Sequence, residues 1–343
     1  MSYNMLQTID EHTYGDHGPV VKHLVELANL SKQDRLEIIA KAATLVGRIR
    51  NDAAPGLMEV FLAEYGLSTD EGVALMCLAE ALLRVPDADT IDALIEDKIA
   101  PSDWGKHLGK SASSLVNAST WALMLTGRVL DDNAPATAGH LQSVLKRLGE
   151  PVIRAAVSRA MKEMGRQFVL GEDIIAAMKR AAKMEEKGFT YSYDMLGEAA
   201  RTEADAKRYH LSYSRAISAI ATACVNDDVQ SNPGISVKLS ALYSRYELAK
   251  REDVLRNLTP RLRSLALLAK SADMGLNVDA EEVDRLGLSL EVIEQVISEP
   301  TLAGWDGFGV VVQAYGPRAE TAIQALYDMA IKYDRKFMVR LVK

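Results

Sequence analysis

The sequence has 343 residues, 48% of them apolar and 25% charged, with 10 prolines, which excludes a disordered chain, a mini-protein or a low-complexity repeat. Its 40 Lys and Arg against 47 Asp and Glu give a net charge of −7 without a long basic run, so the electrostatic footprint of nucleic-acid binding is missing. Two isolated cysteines, Cys77 and Cys224, make neither a disulfide framework nor a metal knuckle and suit a cytoplasmic protein.

Residues 1–14 are polar and lack the apolar stretch of a signal peptide, and no apolar run reaches the ~18 residues of a membrane span. Membrane contact is therefore expected to be peripheral. The first twenty-odd residues, rich in Asp, His, Gly and Tyr, predict an irregular arm that has to lie on something. His12, His17 and His23 in this arm lack zinc-site spacing and are expected to face solvent; no metal site is expected. Amphipathic stretches over 34–50, 90–99, 113–125, 137–148, 151–165 and 172–186 then predict helices. Ser68 to Glu71 forms a capping box ahead of a run stopped by Pro86. The segment from Gly105 to Ser111 has the flavour of a phosphate loop, but it is one residue short between its glycines and follows no strand, so it reads as a polar connector. The expected division is an arm over 1–50, a helical domain over 51–186 and a different architecture over 187–343.

From residue 190 onward, β-prone runs over 190–196, 234–240, 276–281, 308–315 and 336–342 alternate with helical stretches over 202–224, 252–270, 288–298 and 318–332. This alternation predicts βαβ units and a parallel sheet. The residues from Trp305 to Gly309 read as a turn into the fourth strand, and there is no dinucleotide fingerprint. Within the strands, Ile235, Val237 and Leu239 alternate with Ser236, Lys238 and Ser240, and Leu276, Val278 and Ala280 alternate with Asn277, Asp279 and Glu281. Val310, Val312 and Ala314 likewise alternate with Val311, Gln313 and Tyr315. One face of each strand is thus apolar and the other polar, which a doubly wound sheet buried on both faces rarely tolerates. A (β/α)8 barrel with polar side chains at its C-terminal mouth fits better. Only about the first five of its eight strands are expected here, leaving the first and fifth as unpaired edges.

By the same alternation Lys238, Asp279, Gln313 and Arg340 fall on one face of four successive strands, with Glu198 following the first. A purely structural charge layer is one reading of such a set. A site for an anionic or electron-rich ligand is the other, favoured because isolated charges are costly to bury. Lys238 as a Schiff-base nucleophile of an aldolase is a further alternative, weakened by its serine neighbours and an expected acidic partner.

The motifs YSYDMLGE (191–198), GISVKLS (234–240), VDAEE (278–282), GWDGFG (304–309), VQAY (312–315) and VRLVK (339–343) closely resemble the proline dehydrogenase family, in the form found in bacterial proline utilization A. LAEALLRVP (78–86) and LVNASTW (115–121) resemble the arm and α-domain of the same proteins. The resemblance implies a distorted (β/α)8 barrel binding FAD, and oxidation of L-proline to Δ1-pyrroline-5-carboxylate by hydride transfer to flavin N5. It implies substrate contacts from Lys238, which meets the proline carboxylate, and from Glu198, a gating acid. Asp279 and Arg340 would be catalytic, and Ala280, Gln313, Arg340 and Lys343 would hold the cofactor. The family's aromatic residue and paired arginines around proline would lie beyond Lys343, as would its aldehyde dehydrogenase. An N-terminal fragment inactive by itself is therefore the expectation, with a non-catalytic interaction module as the rival. A quinone acceptor, peripheral contact with the inner membrane and homo-oligomerisation are also compatible with the resemblance. With the arm starting about 20 residues from Met1, no room is expected for the ribbon-helix-helix DNA-binding domain of some members.

Overall fold

The computed structural model describes residues 9–51, Thr90, Ala93 and 169–343. The helices expected between 51 and 165 and the Gly105 to Ser111 connector lie outside the described residues. Contacts group the chain into two compact units, Met1–Leu30 with Gly171–Lys343, and Ser31–Leu170.

In the second unit, α2 (Lys32–Arg50) begins at a capping box: Ser31 Oγ accepts from the Asp34 N–H, and the Asp34 carboxylate accepts from the Ser31 N–H. The reciprocal bonds satisfy two of the donors that a helix start leaves unpaired.

The first unit carries α1 (His17–Ala28), where the sequence predicts irregular arm. Asp16 accepts from the Gly18 N–H at its start, and Asn29 adopts the left-handed conformation at its end. These two capping residues supply the termini that composition alone obscured. The residues just before α1 do lie on something. Ile9 is fully buried, and Thr13 Oγ accepts from the buried Arg318, whose guanidinium also donates to the Val283 carbonyl.

Beyond α3 (Ile174–Glu185) the chain alternates strand and helix: β1 (Ser192–Asp194), α4 (Glu203–Ala221), β2 (Gly234–Val237), a single helical turn α5 (Leu239–Leu242), α6 (Arg251–Lys270), β3 (Leu276–Val278), α7 (Leu286–Ile297), β4 (Phe308–Gln313), α8 (Ala319–Tyr333) and β5 (Met338–Val342). All five strands are parallel, in the order β1-β2-β3-β4-β5. A doubly wound sheet reverses strand order at a switch point; this one advances in a single direction, as the strands of a (β/α)8 barrel do.

Two faces result. Ile235, Val237, Leu276, Val278, Val310 and Val312 form the apolar set, buried with Tyr213, Ile217 and Ile220 of α4 and Leu258, Leu262 and Leu265 of α6. Each such side chain contributes roughly 1.5–3 kcal/mol by leaving water. On the opposite face Ser192 and Ser236 are hydrogen-bonded across β1 and β2 at 3.2 Å. Trp305, buried in the turn into β4, donates its indole N–H to the Met274 carbonyl at 3.2 Å and meets Phe308 edge to face.

The predicted second strand runs to residue 240, but the ladder stops at Val237. The Lys238 N–H donates to the Tyr213 hydroxyl and the Ser240 N–H to Glu281. With both donors taken by side chains, the backbone turns into α5 instead of extending the sheet.

At the base of the sheet Gly234 faces Gly275, and a Cβ at 234 would lie 2.7 Å from the Gly275 carbonyl oxygen. A backbone atom cannot move aside as a side chain does. Gly234→Ala is expected to cost about 1–3 kcal/mol, read as a lower midpoint in equilibrium urea denaturation with unchanged slope.

Candidate functional site

The strand register brings the predicted residues together. Asp194 ends β1 opposite Ser236. Lys238 and Asp279 follow directly on the Val237–Val278 pair, and Val311 of β4 is paired with Arg340 of β5. Charged side chains from the ends of β1, β2 and β3 and from the middle of β5 therefore converge on the polar face, towards the C-terminal edge of the sheet where barrel enzymes carry their chemistry.

They form one connected row. Lys238 Nζ donates to Asp194 Oδ1 at 2.7 Å and Oδ2 at 2.9 Å, and to Asp279 Oδ2 at 3.0 Å. The other Asp279 oxygen accepts from Arg340 Nη2 at 2.5 Å. Burial alone would lower the lysine pKa. The bonds and charges of the two carboxylates outweigh it and hold the ammonium above the ordinary lysine range. Beneath Lys238 the fully buried Tyr213 has its phenol pushed up to about 12 by desolvation, so it stays a neutral acceptor for the Lys238 N–H.

A second layer sits one step further along the strands. Glu281 accepts from the Ser240 N–H at 2.9 Å and from the Ser240 hydroxyl. Burial raises its pKa, with both Ser240 bonds opposing. Ser240 in turn accepts from the Ala199 N–H at its hydroxyl and from the Ala200 N–H at its carbonyl, each at 2.9 Å. Gln313 Nε2 donates to the Glu281 carbonyl at 3.2 Å. Glu281 and Ser240 thus tie together the segments that follow β1, β2 and β3 and the last residue of β4.

Glu198 stands apart from the row, exposed on a turn between Gly197 and Ala199, which both have positive φ. A Cβ at Gly197 would lie 2.5 Å from the Tyr209 ring, so only glycine makes this turn against α4. Ala280 is half-buried beside Asp279, and Lys343 is exposed beyond β5. Sequence reasoning missed Asp194 as a partner of Lys238, and it passed over Glu281 and Ser240. The same alternation held the signal: Asp194 is two residues from Ser192, and Glu281 two from Asp279. His23 lies 3.5 Å from Glu320, and among the described residues no three His, Cys, Asp or Glu side chains converge on one point.

Two family patterns match the chain. The one described as "Proline dehydrogenase" matches residues 177–343, and "DNA-binding domain of Proline dehydrogenase" matches residues 57–168, nearly all outside the described residues. The bifunctional protein PutA of Salmonella typhimurium is 49% identical over 94% of this chain. Proline dehydrogenase 1 of Bacillus subtilis is 30% identical over 52% of this chain and 51% of its own length. A crystal structure of Bradyrhizobium japonicum proline utilization A superposes on 96% of this chain and 33% of its own with a TM-score of 0.64 and 45% identity. The chain spans about a quarter of the length of the curated PutA proteins it matches.

The second layer is directly testable. Ser240→Ala leaves Glu281 one donor where it had two, an expected loss of about 1–3 kcal/mol in urea denaturation, together with faster amide exchange at Ala199. Unchanged stability with unchanged Ala199 exchange would show that the serine ties nothing down.

Proposed function

We propose, since the chain belongs to the proline dehydrogenase family, that residues 187–343 carry the substrate end of an enzyme oxidising L-proline to Δ1-pyrroline-5-carboxylate within a bifunctional proline-catabolic protein. Residues 1–50 and 51–186 would be its arm and helical domain. The observation that carries the reading is the paired row of Lys238, Asp279 and Arg340 on the polar face of the sheet. It offers cations for a carboxylate and for an electron-rich ring while keeping every charge in the row partnered.

FAD is the cofactor in this reading, and the donor set fits it. Arg340 is half-exposed with one guanidinium nitrogen engaged by Asp279. Gln313 is anchored through its N–H2, so its carbonyl oxygen is available to a ring N–H. Buried Val311 lies in the same row as Arg340. Arg340, Gln313, Ala280 and Lys343 would hold the group, which when bound supplies an acceptor for the hydride leaving proline C5.

The chain's own residues do the rest. Lys238 would hold the carboxylate of proline, as a protonated lysine does well, although it cannot orient a planar anion by itself. Asp279 would fix the positions of Lys238 and Arg340, and Arg340 would stabilise negative charge developing beside it. Glu198, on its glycine-made turn, would close the mouth. The reading also takes a quinone as electron acceptor at the inner membrane, reached from the cytoplasm by peripheral contact, and allows a homo-oligomer. Nucleic acid is not a partner in it, for the charge reason given by the sequence. Among the described residues no helix is long and apolar enough to cross a membrane.

Arg340→Met should slow reduction of the bound cofactor by proline about 100-fold or more, followed by stopped-flow absorbance; wild-type kinetics would remove Arg340 from the role. Lys238→Ala should raise the proline KM strongly. Borohydride should trap no adduct on Lys238 in the unmodified protein, because an ammonium held by two carboxylates does not attack carbonyls. A trapped adduct would favour the aldolase alternative.

A further inference from the structure

The two carboxylates on Lys238 are not equivalent. The Asp279 side chain is 12% exposed and also binds Arg340, and its N–H is held by the Val237 carbonyl. The Asp194 side chain is 46% exposed, and Lys238 is its side-chain partner among the described residues. One is an anchor and the other can leave.

We propose that Asp194 is a built-in stand-in for the ligand's carboxylate, occupying the Lys238 ammonium until an incoming carboxylate displaces it, and that it thereby sets the anion affinity of the site. The inference rests on the reading of Lys238 as the carboxylate seat. An ammonium has three N–H groups, and in this structure Asp194 and Asp279 take them. A ligand carboxylate gains a bond to Nζ only if one of these lets go. Asp279 cannot leave without stranding Arg340 as well, and it is nearly buried. Asp194 is half in water, so its released carboxylate is rehydrated at little cost.

Charge points the same way. Asp194 and Asp279 balance Lys238 and Arg340, so the row is neutral before a ligand arrives. A third carboxylate brought to Lys238 while Asp194 and Asp279 both stay would crowd three negative charges around one ammonium, which disfavours all of them. Asp194 must therefore swing out, and its competition weakens every carboxylate the site accepts. The gain is a lysine kept charged and aimed when no ligand is present.

The sign of one substitution decides the matter. Binding of cyclopentanecarboxylate, a ring carboxylate without an amine, is measured calorimetrically on the whole protein at fixed pH and ionic strength. Asp194→Asn, close in shape but uncharged, should bind it about tenfold tighter than the unmodified protein, about 1.4 kcal/mol. Asp194→Ser should tighten it too, with circular dichroism confirming that both variants are folded. Unchanged or weaker binding in both would overturn the proposal, since Asp194 would then be presenting Lys238 rather than blocking it. Tightening in Asp194→Asn alone would also overturn it, by tracing the effect to a new bond from the Asn amide to the ligand and not to the loss of a competing charge. Lys238→Ala tests the underlying reading separately: it should abolish binding, and if it binds as well as the unmodified protein, Lys238 is not the carboxylate seat and the stand-in falls with it.

Discussion

The ammonium of Lys238 held between Asp194 and Asp279 constrains the rest of this molecule. A lysine side chain 16% exposed among strand ends would be costly without partners, and its partners come from neighbouring strands. Each must arrive in register. A slip of one residue in β1, β3 or β5 would turn Asp194, Asp279 or Arg340 outward into the apolar layer of α4, α6 and α7. Charge pairing on one face and hydrophobic burial on the other therefore demand the same alignment, and their agreement explains a sheet with a single register throughout.

The layer above the row converts that alignment into a shaped mouth. Glu281 and Ser240 hold the segments following three strands against each other and against the end of β4. The arm adds an outer clasp, where Arg318 binds Thr13 and the Val283 carbonyl just past the Asp279 to Glu281 stretch. Residues far apart in sequence thus converge on the loop that carries Asp279. Loops positioned by a rigid scaffold in this way are where binding and catalytic groups concentrate.

Much of this was legible in the sequence because strands have a period of two. Alternation alone put Lys238, Asp279, Gln313 and Arg340 on one face, and five strands with four helices between them were readable from β-prone runs and amphipathic stretches. What escaped depended on side chains bonding to backbone. The second strand ends at Val237 because Tyr213, 25 residues away, takes the Lys238 N–H. The helix α1 was hidden by the Asp, His, Gly and Tyr of the residues leading into it, although the run from Val20 to Ala28 is mostly apolar and Asp16 and Asn29 cap the helix. Asp194 was overlooked in favour of the more conspicuous Glu198, whose side chain sits on a turn where strand parity no longer applies.

Trp305 has an optical consequence. Of the three tryptophans, Trp104 and Trp121 belong to the Ser31–Leu170 unit, and Trp305 alone to the unit that holds the sheet. Its indole is buried against Phe308 and bonded to the Met274 carbonyl, immediately before β3. Its emission therefore comes from an apolar environment that exists only while the turn into β4 is docked on the chain entering β3. In a background where the other two tryptophans are phenylalanine, a shift of that emission to longer wavelength isolates the opening of the sheet from any event in the Ser31–Leu170 unit.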